Sequence, residues 1–192
     1  MAAESRRWRF DQVCMPHLDA AYNLARWLTR NEHDAEDVVQ DAYLRAFRFF
    51  DGFRGGEVRA WLLTIVRHTC YSWLEKNRPA EVLTEFDEAA PAGEHTGFDP
   101  DMMAAEGGNP EAIALQNAHR RILNQAIAAL PLGFREVLIL RELEELSYKE
   151  IARVVDVPVG TVMSRLARAR MLLRQSAPLR AMSGLPPAEV KQ

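Results

Sequence analysis

An acidic segment in the middle of the chain constrains the fold more than any other feature. Residues 79–117 contain nine Asp and Glu but no Lys or Arg, and they lack an apolar helical period. The flanking segments, 1–78 and 118–192, carry net charges of +1 and +5. A stretch of this composition does not bury enough apolar surface to fold by itself. The sequence therefore predicts a flexible acidic linker at 79–117 between two small domains, 1–78 and 118–178, with a disordered tail at 179–192.

The apolar residues of both flanking segments recur at helical spacing, and no segment shows the alternation of a strand. Asp34 is a candidate N-cap for the second helix of the first domain. The sequence therefore predicts an all-α protein. The predicted helices are 17–30, 34–50, 58–76, 118–130 and one from Pro131 to Glu145, followed by two shorter ones.

The two cysteines provide neither a disulfide framework nor a metal site. Cys14 precedes His17 by three positions and Cys70 lies near His68, but no second pair follows at zinc-site spacing. Ser, His and Asp also lack the spacing of a catalytic triad. No apolar run approaches the roughly 18 residues of a membrane span, and the N-terminus lacks a signal-peptide core. We therefore expect a cytoplasmic protein with no metal, no cofactor and no catalytic site.

The strongest local signature predicts a helix-turn-helix near the C-terminus. Ser147 and Glu150 form a capping box, which starts a helix through about Val155. The next two residues form a turn, and Pro158 suits the first position of a second helix. Two helices joined by so short a turn are typical of this motif.

The second helix of this motif has an apolar face that includes Val162 and Leu166, and a polar face that is basic. Residues 157–175 contain four arginines and no acid. Small residues at the start of the helix permit close approach to phosphates, and arginine bonds guanine edges. The alternative is a solvated basic face on an ordinary helical hairpin. We favour DNA binding, by Lys149, Gly160, Thr161, Ser164, Arg165 and Arg168.

Several segments resemble bacterial sigma factors. Residues 130–152 and 160–170 are similar to region 4, which reads the −35 promoter element. Residues 34–47 resemble region 2.2, which docks on RNA polymerase, and residues 53–67 resemble regions 2.3 and 2.4, which open and read the −10 element. The short chain resembles the two-domain extracytoplasmic-function (ECF) type. The resemblance implies core RNA polymerase and promoter DNA as partners, an anti-sigma factor as regulator, and neither enzymatic activity nor membrane insertion.

The helix at 34–50 carries a mixed polar face opposite its apolar stripe. Two acids, a leucine and two arginines suit a helical partner of complementary charge. Taken alone, the pattern is that of a solvated face. The resemblance instead implies core-polymerase docking through Asp37, Gln40, Asp41, Leu44, Arg45 and Arg48.

A glycine-containing loop and the following helix form a basic, partly aromatic surface. Glycines let a nucleotide approach the backbone, and aromatic rings stack on bases. Trp61 and Trp73 are expected in the core. His68 and Ser72 replace the Asn and Asp that are usual in the family, so the −10 sequence preference is not transferable. The resemblance implies −10 contacts by Arg54, Gly55, Arg59, Arg67, His68, Tyr71 and Lys76.

Several alternatives remain open at this stage. The acidic linker is a solubilising tether, an inhibitor folded back on the basic domains, or, as the resemblance favours, an RNA-like polyanion in the polymerase RNA channel. A helix-turn-helix regulator that acts without polymerase would explain only residues 131–174. A metal-dependent hydrolase using His17, His33 and His68 is disfavoured by the spacing of these ligands.

Overall fold

The computed structural model describes residues 2–78, 110–177 and 179, which contain eight α-helices and no strand. The predicted all-α class is therefore confirmed. Short 3-10 helices, Met15–His17 and Phe50–Gly52, follow the first and third α-helices. The α-helices are α1 (Ala2–Cys14), α2 (Leu18–Thr29), α3 (Glu32–Phe49), α4 (Val58–Asn77), α5 (Pro110–Ala128), α6 (Leu132–Glu142), α7 (Tyr148–Val155) and α8 (Val159–Gln175).

In the first domain, α2, α3 and α4 each pack against the other two. Leu24 and Leu28 of α2, Leu63 and Val66 of α4 are fully buried, and Val38 of α3 is 2% exposed. Burying a side chain of this kind stabilises the folded state by about 1.5–3 kcal/mol. Helical spacing predicted most of this buried surface, including Leu28, Val38 and Val66, whereas Leu18 of α2, on the predicted stripe, is 36% exposed.

Helix α1 is held by Phe10 and by an arginine rather than by a regular apolar stripe. The Phe10 ring meets the rings of Tyr43, Phe47 and Phe50 edge to face, with centroids 5.2–6.2 Å apart. Such pairs contribute about 0.5–1.5 kcal/mol beyond their buried area. Arg6 donates to the carbonyl oxygen of Phe47 at 2.7 Å. Because α1 is anchored by the Phe10 ring and the Arg6 cation and has no regular apolar stripe, apolar periodicity did not predict this helix.

The N-terminus of α3 is capped by Asn31, and the prediction that Asp34 caps it is wrong. Asn31 has extended backbone angles (φ −149°, ψ 135°), and its Oδ1 accepts from the backbone N–H of Asp34 at 3.1 Å. Both residue types cap well. Arg30 decides between them, because its left-handed backbone (φ 55°) ends α2 immediately before Asn31.

The first helix of the second domain begins earlier than the sequence pattern indicated. Helix α5 starts at Pro110, inside the predicted linker 79–117, where proline suits the first helical turn. The helix predicted at 118–130 is therefore longer at its N-terminus. The remainder of the predicted linker, 79–109, and the predicted tail beyond residue 179 lie outside the described residues.

The helix-turn-helix is formed by α7 and α8, as predicted. Ser147 Oγ accepts from the backbone N–H of Glu150 at 3.3 Å, and Glu150 Oε2 accepts from the backbone N–H of Ser147 at 2.7 Å. Asp156 ends α7 in the left-handed conformation, φ 54°. Pro158 is the N-cap of α8, one position before the predicted one, because its ψ of 148° is not helical.

Replacing Ser147 by alanine tests the capping box. We expect the free energy of unfolding to fall by about 1 kcal/mol, the usual contribution of an N-cap side chain. The Ser147 side chain also lowers the pKa of the Glu150 carboxyl, as does the backbone N–H of Ser147, which the substitution keeps. The part of the loss that comes from the carboxylate is therefore present above the usual carboxyl pKa and disappears as the pH falls through the lowered value, whereas the cap bond to the Glu150 N–H does not titrate. Urea unfolding of both proteins at neutral and acidic pH measures the difference, and an equal loss at both would contradict the linkage.

The two domains share one apolar core, whereas the sequence predicted separate domains on a tether. Helix α6 is buried over all of residues 132–140. It packs against α8 of its own domain and against α2 of the first domain, while α7 packs against α4. A helix that is buried on all sides must be covered by another element on each side. Helix α6 is covered by α8 on one side and by α2 of the first domain on another.

Candidate nucleic-acid and protein interfaces

The predicted docking face of α3 lies on the surface. Asp37, Gln40 and Arg48 are exposed, and Leu44 is 56% exposed. Asp41 and Arg45 are half-buried and form an ion pair at 2.7 Å, one helical turn apart. An exposed leucine surrounded by charges of both signs is more typical of a protein-binding surface than of a surface that meets only solvent.

Apolar side chains beside this face were missed by the sequence argument. Phe49, at the C-terminal end of α3, is 66% exposed. Gln40 lies between two grooves of about 390 and 430 Å³. Aromatic and aliphatic side chains line both, principally Phe10, Tyr43, Leu44 and Phe47 in one and Met15, Leu18, Tyr22 and Val39 in the other. The docking face is therefore more apolar than the predicted residues alone suggest.

The loop between α3 and α4 requires glycine. Gly55 and Gly56 have φ of 91° and 110°, values that other residues rarely adopt. Arg54 beside them is exposed. The loop is anchored by Phe53, whose ring packs on Trp61 with centroids 4.8 Å apart. The open backbone at the two glycines leaves room for a nucleotide next to the Arg54 cation.

The predicted −10 residues of α4 divide into an open group and a covered group. His68 and Lys76 are exposed. Arg59, Arg67 and Tyr71 are partly buried because they face the second domain. The expected continuous basic surface is therefore interrupted in this structure.

Glu136 of α6 is the carboxylate that covers two of these residues. It is fully buried, and its Oε2 accepts from the Tyr71 hydroxyl at 2.6 Å. Arg67 Nε lies 3.0 Å from Oε1, and the Arg67 guanidinium stacks 4.3 Å above the Tyr71 ring. Burial raises the pKa of Glu136, while the charges of Arg67 and Arg165 and the Tyr71 hydroxyl act in the opposite direction.

Glu144, in the turn after α6, makes the second contact between the domains. Its side chain is 5% exposed. Oε2 meets Arg59 Nη2 at 2.5 Å, and Oε1 accepts from Asn23 Nδ2 at 2.5 Å. The charge of Arg59, together with burial as the larger cause, also lowers the pKa of His17. Glu136 and Glu144 of the second domain thus contact four side chains of the first domain, namely those of Asn23, Arg59, Arg67 and Tyr71.

Four of the six predicted −35 residues are exposed, and two are partly buried. Lys149 on α7 and Gly160, Ser164 and Arg168 on α8 are exposed, and Thr161 is partly exposed. Arg165, predicted on the outward face, is instead partly buried with its charge acting on Glu136. It lies at the edge of the apolar stripe, three positions after Val162 and four before Ala169, on a helix that packs against α6.

Two family models match the chain, one in each domain. The Sigma-70 region 2 model matches residues 14–79, and the Sigma-70, region 4 model matches residues 120–173. The ECF RNA polymerase sigma-E factor of Escherichia coli is 38% identical over 138 residues, 71% of this chain and 70% of that protein. The chain belongs to the ECF family of RNA polymerase sigma factors. The ECF RNA polymerase sigma factor SigE of Mycolicibacterium smegmatis is 33% identical over 165 residues, 86% of this chain and 60% of that relative.

Solved structures of similar proteins extend this likeness to both domains of the ECF sigma factor. The sigma factor RpoE of Bartonella quintana, in complex with the anti-sigma factor NepR, has a TM-score of 0.67 and 26% identity and covers 90% of this chain and 97% of its own. CnrH, in complex with the cytosolic domain of CnrY, has a TM-score of 0.61 and 26% identity and covers 94% and 95%.

Sequence reasoning also missed the two interdomain acids of this sigma factor. Glu136 and Glu144 lie in the predicted helix from Pro131 to Glu145 and in the segment that resembles region 4, but neither was assigned a role. One signal was available: Glu136 is an acid in a segment that is otherwise almost wholly apolar from Leu130 to Leu140, apart from Arg135. Buried acids of this kind need a cationic or hydroxyl partner.

Within the part of the chain that the structure describes, the histidines and cysteines of the sigma factor are not arranged as a metal site. In residues 2–78 and 110–177, no three His, Cys, Asp or Glu side chains form a group suited to a metal ion. Cys14 and Cys70 are buried, which raises the pKa of the Cys14 thiol to about 11 and that of Cys70 further. No helix in this described part combines the length and apolar composition needed to cross a bilayer.

Proposed function

We propose that this sigma factor binds core RNA polymerase and directs it to start transcription at specific promoters. The observation that carries the proposal is the presence of both sigma regions in one chain, in family order. A helix-turn-helix regulator would need only the second domain. The first domain, with its exposed α3 face and glycine loop, has no role in that alternative.

Core polymerase would bind the α3 face. The exposed Leu44 supplies apolar area, and the charged side chains around it supply orientation. Phe49, at the C-terminal end of α3, adds further exposed apolar area on the same helix. The proposed contact residues are Asp37, Gln40, Asp41, Leu44, Arg45 and Arg48.

Promoter DNA would bind both domains. On the first domain, Arg54 and the backbone at Gly55 would hold a −10 nucleotide, with Arg59, Arg67, His68, Tyr71 and Lys76 along α4. On the second, α8 would enter the major groove with its N-terminus toward the DNA. The −35 element would be read there by Lys149 of α7 and by five residues of α8: Gly160, Thr161, Ser164, Arg165 and Arg168.

An anti-sigma factor would control the protein in the cytoplasm. The RpoE relative was solved in complex with the anti-sigma factor NepR, and this chain is similar to it over both domains. The protein acts by binding and positioning and would not itself be an enzyme. The reaction it starts is performed by core polymerase.

Run-off transcription with core polymerase on a library of genomic fragments tests the proposal. We expect specific transcripts that require both the sigma factor and core polymerase, because neither alone recognises and opens a promoter. Core polymerase without the factor is the control. Site-specific DNA binding without transcripts would instead favour the polymerase-independent regulator.

A further inference from the structure

The second helix of the helix-turn-helix exposes a large apolar side chain that the proposed DNA contacts do not include. Met163 of α8 is 52% exposed. The buried stripe of this helix includes Val162 and Leu166 but not Met163. Met163 is therefore not held outward by a packing requirement, and its exposed thioether is available to a partner.

Met163 lies beside the residues proposed to read the −35 element. Side chains four positions apart are neighbours on a helix surface. Val159, which is 37% exposed, Met163 and the exposed Ala167 therefore form an apolar row along α8. Ser164 and Arg168, both exposed, form a polar row directly next to it. A ligand that meets the polar row would meet the apolar row as well.

The charge and shape of this face favour DNA over a protein as the partner. Residues 157–175 contain four arginines and no acid, which suits a polyanion. An added Cβ at Gly160 would meet nothing within 4 Å, so the first turn of α8 is open to a large ligand. On α3, by contrast, Leu44 lines an apolar groove of about 390 Å³, as is typical of a protein-docking surface. The apolar row of α8 is only one side chain wide.

We propose that Met163 contacts the C5-methyl group of a thymine in the −35 element and is a specificity-determining residue for promoter choice. That methyl group is the apolar feature by which a thymine is recognised in the major groove. An unbranched, flexible thioether adapts its shape to such a group. This inference rests on the proposed function, because it assumes that α8 enters the major groove.

A methyl contact differs measurably from the contacts of the neighbouring Arg168. We expect it to strengthen binding about fourfold, which corresponds to the roughly 0.8 kcal/mol of one buried methylene-sized group. Because Met163 carries no charge, its contact releases no counterion, and the slope of log affinity against log salt stays the same when it is lost. Arginine contacts to phosphate change that slope.

Two substitutions of Met163 separate an apolar contact from other roles. Met163→Ala removes the apolar group beyond Cβ and adds no hydrogen-bonding group, whereas Met163→Leu keeps an apolar side chain of similar volume. Alanine and leucine are both good helix formers, so α8 is retained in each variant. Leu123→Ala is the matched control, because Leu123 of α5 is 42% exposed and lies outside α8.

Replacing thymine by uracil removes the C5-methyl group from the DNA and leaves its hydrogen-bonding groups in place. Duplexes are first selected from a random double-stranded pool by the full-length factor bound to core polymerase, and each thymine of the selected −35 sequence is then exchanged singly. We expect one uracil exchange to weaken binding of the parent protein and of Met163→Leu about fourfold. Leu123→Ala should behave like the parent.

The combination of Met163→Ala with that uracil duplex is the decisive measurement. We expect Met163→Ala to bind the thymine duplex about fourfold more weakly than the parent, with an unchanged salt slope and no further loss on the uracil duplex. An equal uracil effect in the parent and in Met163→Ala would overturn the proposal, as would a parent protein that loses affinity at no thymine. A reduced affinity of Met163→Ala for core polymerase, with its uracil effect retained, would assign the side chain to a protein contact instead.

Transcription from the selected duplexes distinguishes this inference from the proposed function. Specific transcripts together with an equal uracil effect in the parent and Met163→Ala would refute the methyl contact alone. The predicted loss of the uracil effect in Met163→Ala, without transcripts, would support the methyl contact and refute the proposed function.

Discussion

Replacing Asp37 and Asp41 by arginine is expected to reduce affinity for core RNA polymerase about hundredfold or more. Both residues lie on the outward side of α3 around the exposed Leu44. Reversing a charge at a complementary interface places like charges together, which costs several kcal/mol, and about 1.4 kcal/mol corresponds to a factor of ten. A titration of labelled sigma factor with core polymerase measures the loss.

The fold should survive this double substitution. Asp41 loses its ion pair with Arg45, but that pair is 41–49% exposed, and exposed pairs contribute only about 0.2–1 kcal/mol. Thermal unfolding of the variant checks this point. The control is Glu75→Arg with Glu145→Arg, which makes the same change in charge at exposed positions outside the docking face. A normal core affinity for the Asp37 and Asp41 variant would mean that polymerase docks elsewhere.

Replacing Arg168 by alanine is expected to weaken binding to the −35 element roughly 10- to 100-fold in the holoenzyme. Arg168 is exposed on α8, and a good bidentate contact to a guanine discriminates by about 1–3 kcal/mol. Its side chain approaches Met171 Sδ only at 3.9 Å, so the fold does not depend on that contact. Electrophoretic mobility shifts with a −35-dependent promoter measure the change.

The salt dependence of the same binding separates two roles for Arg168. A lost phosphate contact reduces the slope of log affinity against log salt by about 0.9, whereas a lost base contact changes sequence preference. Arg174→Ala is the control, because Arg174 is exposed at the far end of the same helix. If both variants bind the promoter like the parent protein, α8 does not read the −35 element through this residue.

Signals that act within a few residues were sufficient to predict much of the fold. The Ser147 and Glu150 capping box needs only four consecutive residues, and it is present as predicted. The buried faces of α2, α3 and α4 follow from apolar spacing alone. The error at the start of α3 arose where two good capping residues, Asn31 and Asp34, lie three positions apart. There the left-handed Arg30 decided the outcome, and no composition rule predicts it.

The exposure of a candidate site residue could be predicted only where it depends on the faces of a single helix. The α3 face is exposed because its polar side lies opposite its own apolar stripe. The same reasoning failed for Arg165, which is partly buried and whose charge acts on Glu136 of another helix. Arg165 lies at the edge of the apolar stripe of α8 and Arg168 lies farther from it, but spacing on one helix does not show which acid of another helix lies near.

The sequence by itself determined the all-α class and the helix-turn-helix, because helical period and capping are local properties, and its resemblance to sigma factors indicated the order of the two regions. Only the tertiary structure decided which cations are available to DNA. Arg59 meets Glu144 across 85 residues of chain, and Tyr71 meets Glu136 across 65. These partners come together only when the two domains share a core, and burial there makes a carboxylate hold a nearby cation or hydroxyl far more strongly than it would in water.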